Sequence, residues 1–220
     1  MKTPIVNYIA FFLFLTFITS CKTSTSVLKS LENGMAIIED ENGNFSEKMS
    51  VKIAFGKLES NQKIYLGKGR VELIEPLKLG NLENIEIIGN NAELVAKIDM
   101  PIITISNSTN VKIDNMLVVH EIGEWCAQNC IELYDVTDVE VKNCRFDGSG
   151  YFGLALTGVK NALVENNQFF NCEYGLAAWR SEKLTVKNNR FFKNRNLNIM
   201  SNERTQFEND FENENEFDKE

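Results

Sequence analysis

The sequence predicts an all-β solenoid, a single-stranded parallel β-helix of about six to seven coils with a short N-terminal capping helix. Three observations carry this. A short apolar segment is followed eight residues later by a second one, with a polar turn between: Leu77 and Ile85, Ile103 and Val111, Ile131 and Val139, Leu154 and Ala162, Leu176 and Leu184, Leu197 and Thr205. These pairs recur in steps of 26, 28, 23, 22 and 21 residues, and within each segment apolar and polar residues alternate as a half-buried strand requires. After the first coil, every second segment ends in an asparagine turn, as in "VEVKNCRF", "ALVENNQF" and "LTVKNNRFF". A unit of about 22 residues with short strands and no helix buries its apolar face only by stacking on its neighbours. A leucine-rich repeat has a similar period, but its LxxLxLxxN pattern is missing.

The asparagines need a reason, since Asn is among the poorest strand formers. Asn115, Asn143, Asn166, Asn188 and Asn209 each stand four residues beyond the start of a second strand, and Gly89 takes that place in the first coil. Stacked at about 4.8 Å per coil, equivalent side-chain amides can hydrogen-bond up and down a column, so these five are expected to form a structural ladder at a corner. Three residues later Val118, Phe146, Phe169 and Phe191 are expected to form an apolar stack. Outward, Asp114, Lys142, Glu165, Lys187 and Glu208 should form a charge ladder that is structural rather than catalytic.

The N-terminal 20 residues read as a targeting segment: Lys2, then the apolar run "IVNYIAFFLFLTFI", then "TSC". "FITSC" resembles the lipobox of bacterial lipoproteins, which implies lipidation at Cys21 and, with Lys22 rather than Asp next, the outer membrane, facing the periplasm or the surface. An ordinary secretory signal and an uncleaved anchor are the alternatives. The expected organisation is a signal peptide over residues 1–20, a linker and N-terminal segment over 22–45 (34–45 as an extra hairpin), the β-helix over 46–211 and an acidic tail over 212–220. A short helix between Glu47 and Leu58 should cap the open core.

Losing Lys2 moves the net charge from −8 to −9, with eight acids and two bases falling between Glu203 and Glu220. Such a chain lacks the basic face that nucleic acid requires. Export permits disulfides among Cys126, Cys130, Cys144 and Cys172 without requiring them.

From about Lys63 to Asn209 the repeat resembles the right-handed β-helix family of pectate lyases and related repeat proteins. The resemblance implies three parallel sheets, with "GLAL" and "GLAAW" in the first, "ALV" and "LTV" in the second, and the segments around Phe169 and Phe191 in the third. In those lyases substrate lies along the first sheet, walled by loops. Here that sheet's outward rows would be Lys78, Thr104, Glu132, Ala155, Ala177 and Asn198, then Gly80, Ser106, Tyr134, Thr157, Trp179 and Met200. The longest coil places its insertion, His120 to Cys130, just before this sheet, and a loop that lengthens one repeat is a functional pointer.

His120, the only histidine, stands near Glu121, Glu124 and Glu132 and can serve as general acid or base, or pack as an ordinary loop residue. Arg180 can meet a substrate carboxylate or pair with Glu182. His120, Glu132 and Arg180 are the catalytic candidates. Tyr134 and Trp179, two coils apart in one row, suit stacking under a sugar chain, with Trp125, Thr157 and Asn198 as further binding candidates. His120, Cys126 and Cys130 match no strong zinc spacing; no metal or cofactor is expected, and a Cys126–Cys130 disulfide is an alternative to free thiols. The calcium-binding aspartates and arginine cluster of pectate lyases have no clear counterpart, nor do the spaced aspartates and "GHG" of polygalacturonases. The expected function is therefore an exported, lipid-anchored β-helix that binds polysaccharide or envelope polymer. A lyase or epimerase acting on uronate-containing glycans is the first alternative, and a structural or protein-interaction repeat the second.

Overall fold

The structure, a computed structural model, describes residues 28–121, 126–148 and 150–218. The chain divides into two units, Met1–Leu31 and Glu32–Glu220. In the first, a turn is closed by the Leu31 N–H donating to Leu28 O at 3.2 Å. Cys21 and the apolar run read as a signal lie outside the described residues.

The second unit is the solenoid. It begins with β1 (Met35–Glu39), β2 (Met49–Ser50), α1 (Val51–Lys57), β3 (Lys63–Leu66) and β4 (Gly69–Leu73). Two turns follow in which the second and third strands run together around a corner: β5 (Leu77–Gly80) with β6 (Glu83–Ala96), and β7 (Ile103–Ser106) with β8 (Thr109–His120). The next turns separate all three. They are β9 (Ile131–Tyr134), β10 (Thr137–Lys142) and β11 (Arg145–Gly148); β12 (Phe152–Thr157), β13 (Lys160–Glu165) and β14 (Gln168–Phe170); and β15 (Tyr174–Trp179), β16 (Glu182–Lys187) and β17 (Arg190–Phe192). β18 (Ile199–Ser201) and β19 (Glu216–Phe217) end the winding.

Strands stack in parallel on all three sides. The first sheet runs β5, β7, β9, β12, β15, β18. The first half of β8 continues as β10, β13 and β16, and its second half as β11, β14, β17 and β19. Inward residues repeat because the register does. Val118, Phe146 and Phe169 stand opposite one another, and the rings of Phe146, Phe169, Phe191 and Phe217 stack at centroid distances of 4.6, 4.8 and 5.2 Å.

At the N-terminal end α1 closes the core with Val51, Ala54 and Phe55, and the Ser50 hydroxyl accepts from Ile53 N at the helix start. β1 pairs antiparallel with β2 and β3, and Ala36, Ile37 and Ile38 are buried. Within the stretch expected as an extra hairpin, Glu39 bridges antiparallel to Phe45, and β1 joins it to the folded unit.

The amide ladder exists, but one residue along from the expected column. Asn143, Asn166 and Asn188 do stack, each at a positive φ of 54 to 58°, and they point outward. Asn143 donates to the Asp114 carboxylate at 2.6 Å. The buried amides are the second of each pair. Asn167 Nδ2 donates to Asn189 Oδ1 at 3.0 Å and to Val141 O at 2.8 Å, and Asn189 repeats this toward Asn215 Oδ1 and Val164 O, both at 2.9 Å. Cys144, whose N–H donates to Asn167 Oδ1, starts the column, and Met116 holds the equivalent place below. The division follows from the turn. Its first residue must be left-handed, which Asn tolerates, and this rotates the second one inward, where its polar groups require partners.

Asn209 is likewise not above Asn188, whose N–H donates to Glu214 O. Asn209 instead caps β16 beyond its parallel bridge from Leu184 to Phe207, accepting from Val186 N at 2.9 Å and donating to Val186 O at 2.8 Å. The parallel pairing continues through Phe217, opposite Phe191, into the stretch read as acidic tail. The charge ladder holds from Asp114 through Lys142 and Glu165 to Lys187, with Glu165 3.5 Å from the Lys187 ammonium and 3.8 Å from that of Lys142. Glu208 is not its next rung, because its N–H donates to Leu184 O.

Candidate functional site: the outer face of the first sheet

The outward face of β5–β18 carries two rows. One is Lys78, Thr104, Glu132, Ala155, Ala177 and Met200, and the other is Gly80, Ser106, Tyr134, Thr157 and Trp179. Met200 replaces Asn198 in the first row because Ile199, not Leu197, stands opposite Leu176. Asn198 precedes the strand, where its side-chain oxygen accepts from Asn194 Nδ2 at 3.0 Å.

Ala155 and Ala177 face outward yet are buried, because Phe152, Tyr174, Trp179 and Met200 close over them. The small side chains leave room for the rings to pack over them, tilted or edge to face with one another. Phe152 sits at the centre, 4.3 Å from Tyr151, 5.3 Å from Tyr174 and 4.9 Å from Trp179 between centroids. Tyr151 remains 43% exposed, and Tyr174 and Trp179 are half-buried. Tyr174 and Trp179 begin and end β15, and their rings converge on Phe152 from the two ends of the strand. Sequence reasoning missed Tyr151, Phe152 and Tyr174. Their signal was the recurrence of "YFGLALT" as "EYGLAAW", aromatic residues entering a Gly-Leu-Ala strand.

Tyr134 shares a row with Thr157 and Trp179, but among the described residues it makes no ring contact with the patch. It belongs with Glu132. Burial first, and then the hydrogen-bonded Glu132 carboxylate, push the Tyr134 hydroxyl above its usual range. Glu132 is 8% exposed; it accepts from Asn129 Nδ2 at 2.7 Å and Thr104 Oγ1 at 3.4 Å. Asn129 is itself oriented, since its Oδ1 accepts from Phe152 N at 3.0 Å. The result is a fixed carboxylate beside the aromatic patch.

The three catalytic candidates are not brought together. His120 ends β8 with its ring inside, 4% exposed, where Nε2 donates to Met100 O at 2.8 Å and Nδ1 lies 3.5 Å from Cys130 Sγ. With Nε2 carrying the proton, Nδ1 is the acceptor of the Cys130 thiol. Burial lowers the His120 pKa, which suits a neutral packing residue and not a solvent-facing base. The reason is strand parity: Val118 points into the core, so His120 does too. Glu121 is engaged elsewhere, paired with Arg70 and Lys97. Trp125 and Glu124 lie outside the described residues. Arg180 is exposed at the corner after Trp179, and among the described residues it forms no ion pair, with Glu182 or otherwise.

Cys126, Cys130, Cys144 and Cys172 are all free and buried, so the Cys126–Cys130 disulfide is not formed. Among the described residues no cluster of His, Cys, Asp and Glu could hold a metal ion.

No curated protein and no solved structure matches the chain significantly. A family model described as the right handed beta helix region matches residues 101–217, more than half of the chain. The stacked parallel coils and the family match agree, and the chain belongs to the right-handed β-helix family.

Proposed function

We propose that this β-helix protein binds a glycan on the outer face of its first sheet, with Trp179, Tyr174 and Tyr151 as the stacking surface. The observation that carries this reading is the covered alanine pair. Ala155 and Ala177 give up exposed polar positions to aromatic rings that pack over them in a cluster separate from the core, with Tyr151, Tyr174 and Trp179 still partly open to solvent. Half-exposed aromatic rings suit the apolar faces of sugar rings, and a carboxylate such as that of Glu132 suits their hydroxyls. Anchoring of the exported chain through acyl groups on Cys21 would hold this face at the cell envelope, where glycan polymers are abundant; the lipobox-like "FITSC" supports this part.

The test is retention on an array of cell-envelope and plant oligosaccharides. Trp179→Ala should weaken retention by about tenfold, the scale of one well-packed aromatic contact, with an unchanged circular dichroism spectrum. Unaltered retention of every bound glycan would remove the platform. Incorporation of labelled palmitate, lost in Cys21→Ala, tests the anchor.

A further inference from the structure

The corners of the solenoid follow a residue rule that one coil breaks. After the first sheet the chain turns through a left-handed residue, and the stacked occupants are Asn81, Asn107, Asp135, Gly158 and Arg180, at φ 58, 49, 51, 67 and 51°. Three residues on, a second left-handed column holds Asn84, Asn110, Asp138, Asn161 and Lys183, at φ 55, 53, 56, 56 and 55°. Register fixes both columns, since Thr157 stands opposite Trp179 and Ala162 opposite Leu184. In the lower coils every occupant is Asn, Asp or Gly, the residues that enter this region with least penalty. In the coil of β15 and β16 both places are basic.

The exception is not explained by local pairing. Arg180 and Lys183 are exposed, and among the described residues neither forms an ion pair. Nor is it explained by packing, because the turn is held by the buried residue between them: Ser181 Oγ accepts from Val159 N at 3.1 Å and donates to Trp179 O at 3.1 Å. Two cations are placed on left-handed backbone where asparagine would do, Arg180 directly after Trp179 and Lys183 just inside β16, and Lys193 (φ 54°) does the same at the third corner of that coil. Strain kept where the fold does not need it points to a site.

We propose that Arg180 and Lys183 form a subsite for one anionic group on the glycan, a carboxylate or a sulfate, carried by the unit at the Trp179 end of the platform. This rests on the glycan reading of the aromatic patch. The remaining length favours uncharged units. Glu132 lies beside the patch, Glu173 before Tyr174 is ion-paired with Arg195 at 3.2 Å, and the whole chain is at −8, so a polymer charged on every unit meets a net negative protein and not a row of cations. The ligand class is therefore a mainly neutral glycan with a single acidic unit, distinct from a polyuronate.

The experiment compares three probes on the full chain: a neutral oligosaccharide, the same oligosaccharide ending in one uronate or one sulfated unit, and a polyuronate of equal length. The wild type should retain the singly charged probes about three- to tenfold better than the neutral one, as expected for two exposed ion pairs, with the advantage lost in high salt. Uronate against sulfate shows which group the subsite takes. The double variant Arg180→Asn, Lys183→Asn restores the corner rule, so it should melt no lower than wild type while binding neutral and charged probes alike. An unchanged preference in that variant overturns the proposal, as does a polyuronate bound more tightly than the singly charged probes. Equal retention of neutral and charged probes by wild type, weakened by Trp179→Ala, overturns the anionic subsite alone. If no glycan is retained, the platform reading fails and the subsite with it.

Discussion

Asn167 and Asn189 are joined across one turn by two hydrogen bonds to a single oxygen: Asn189 Oδ1 accepts from Asn167 Nδ2 at 3.0 Å and from Asn167 N at 2.9 Å. Both residues are about 1% exposed, so neither group has water to fall back on. Replacing Asn189 with Ala leaves the Asn167 and Val164 groups unpaired inside the solenoid and should cost about 1–3 kcal/mol. Asn188→Gly, one residue away but outward and left-handed, should stay within about 0.5 kcal/mol of wild type. Urea unfolding of the two variants checks the difference.

The aromatic column carries more weight. Phe169 is fully buried between Phe146 and Phe191, and Phe169→Ala opens a cavity at the centre of the stack. A loss of about 3–5 kcal/mol is expected, large enough to show as a marked fall in melting temperature.

His120 makes stability depend on pH. Burial depresses its folded pKa below the ordinary 6.5, so the unfolded chain binds the proton more readily. Its contribution is complete above pH 6.5 and is lost as pH falls through the window between the unfolded and folded values. Among the groups facing it, Met100 O and Asp99 resist that lowering without cancelling it. Melting temperature should therefore decline below about pH 6.5, and His120→Gln should flatten that part of the profile.

The thiols should be silent in the native protein. Burial pushes Cys126, Cys144 and Cys172 up to about 12 and raises Cys130 well above the usual thiol range. The thiolate is the reactive form, so alkylation at pH 8 followed by peptide mapping should find these four unmodified until denaturant is added.

Much of the fold was legible because it repeats. Phe146, Phe169 and Phe191 recur at 23 and 22 residues, and a constant step between like residues fixes register without knowledge of any contact. The asparagine pair was harder. Asn188 and Asn189 share one turn, and periodicity cannot say which of two adjacent amides a left-handed residue rotates inward. The last turn misled for another reason. It lengthens to 26 residues between Phe191 and Phe217, so counting at 21 or 22 put Asn198, Asn209 and Glu208 in the wrong columns.

The site was read in part. Tyr134, Thr157 and Trp179 fell in the expected row, since strand alternation alone decides it. The ring cluster depends on where side chains lie down, and that is set by the absence of bulk at Ala155 and Ala177 rather than by any polar motif. The direction of His120 was hidden by its position at a strand end, where loop and strand predict opposite orientations.

Asn209 occupies both main-chain groups of Val186, so the rung that residues 206–208 begin on Leu184 goes no further along β16 and offers a later unit only a short edge to pair with. A longer relative built from this chain could not simply append units after Phe217 on that side. New length would have to be spliced into the middle, for example by duplicating residues 152–173, where phenylalanine already meets phenylalanine and amide meets amide. Such an insertion should be accepted by the scaffold, whereas the same segment fused to the end should hang loose and be clipped by protease.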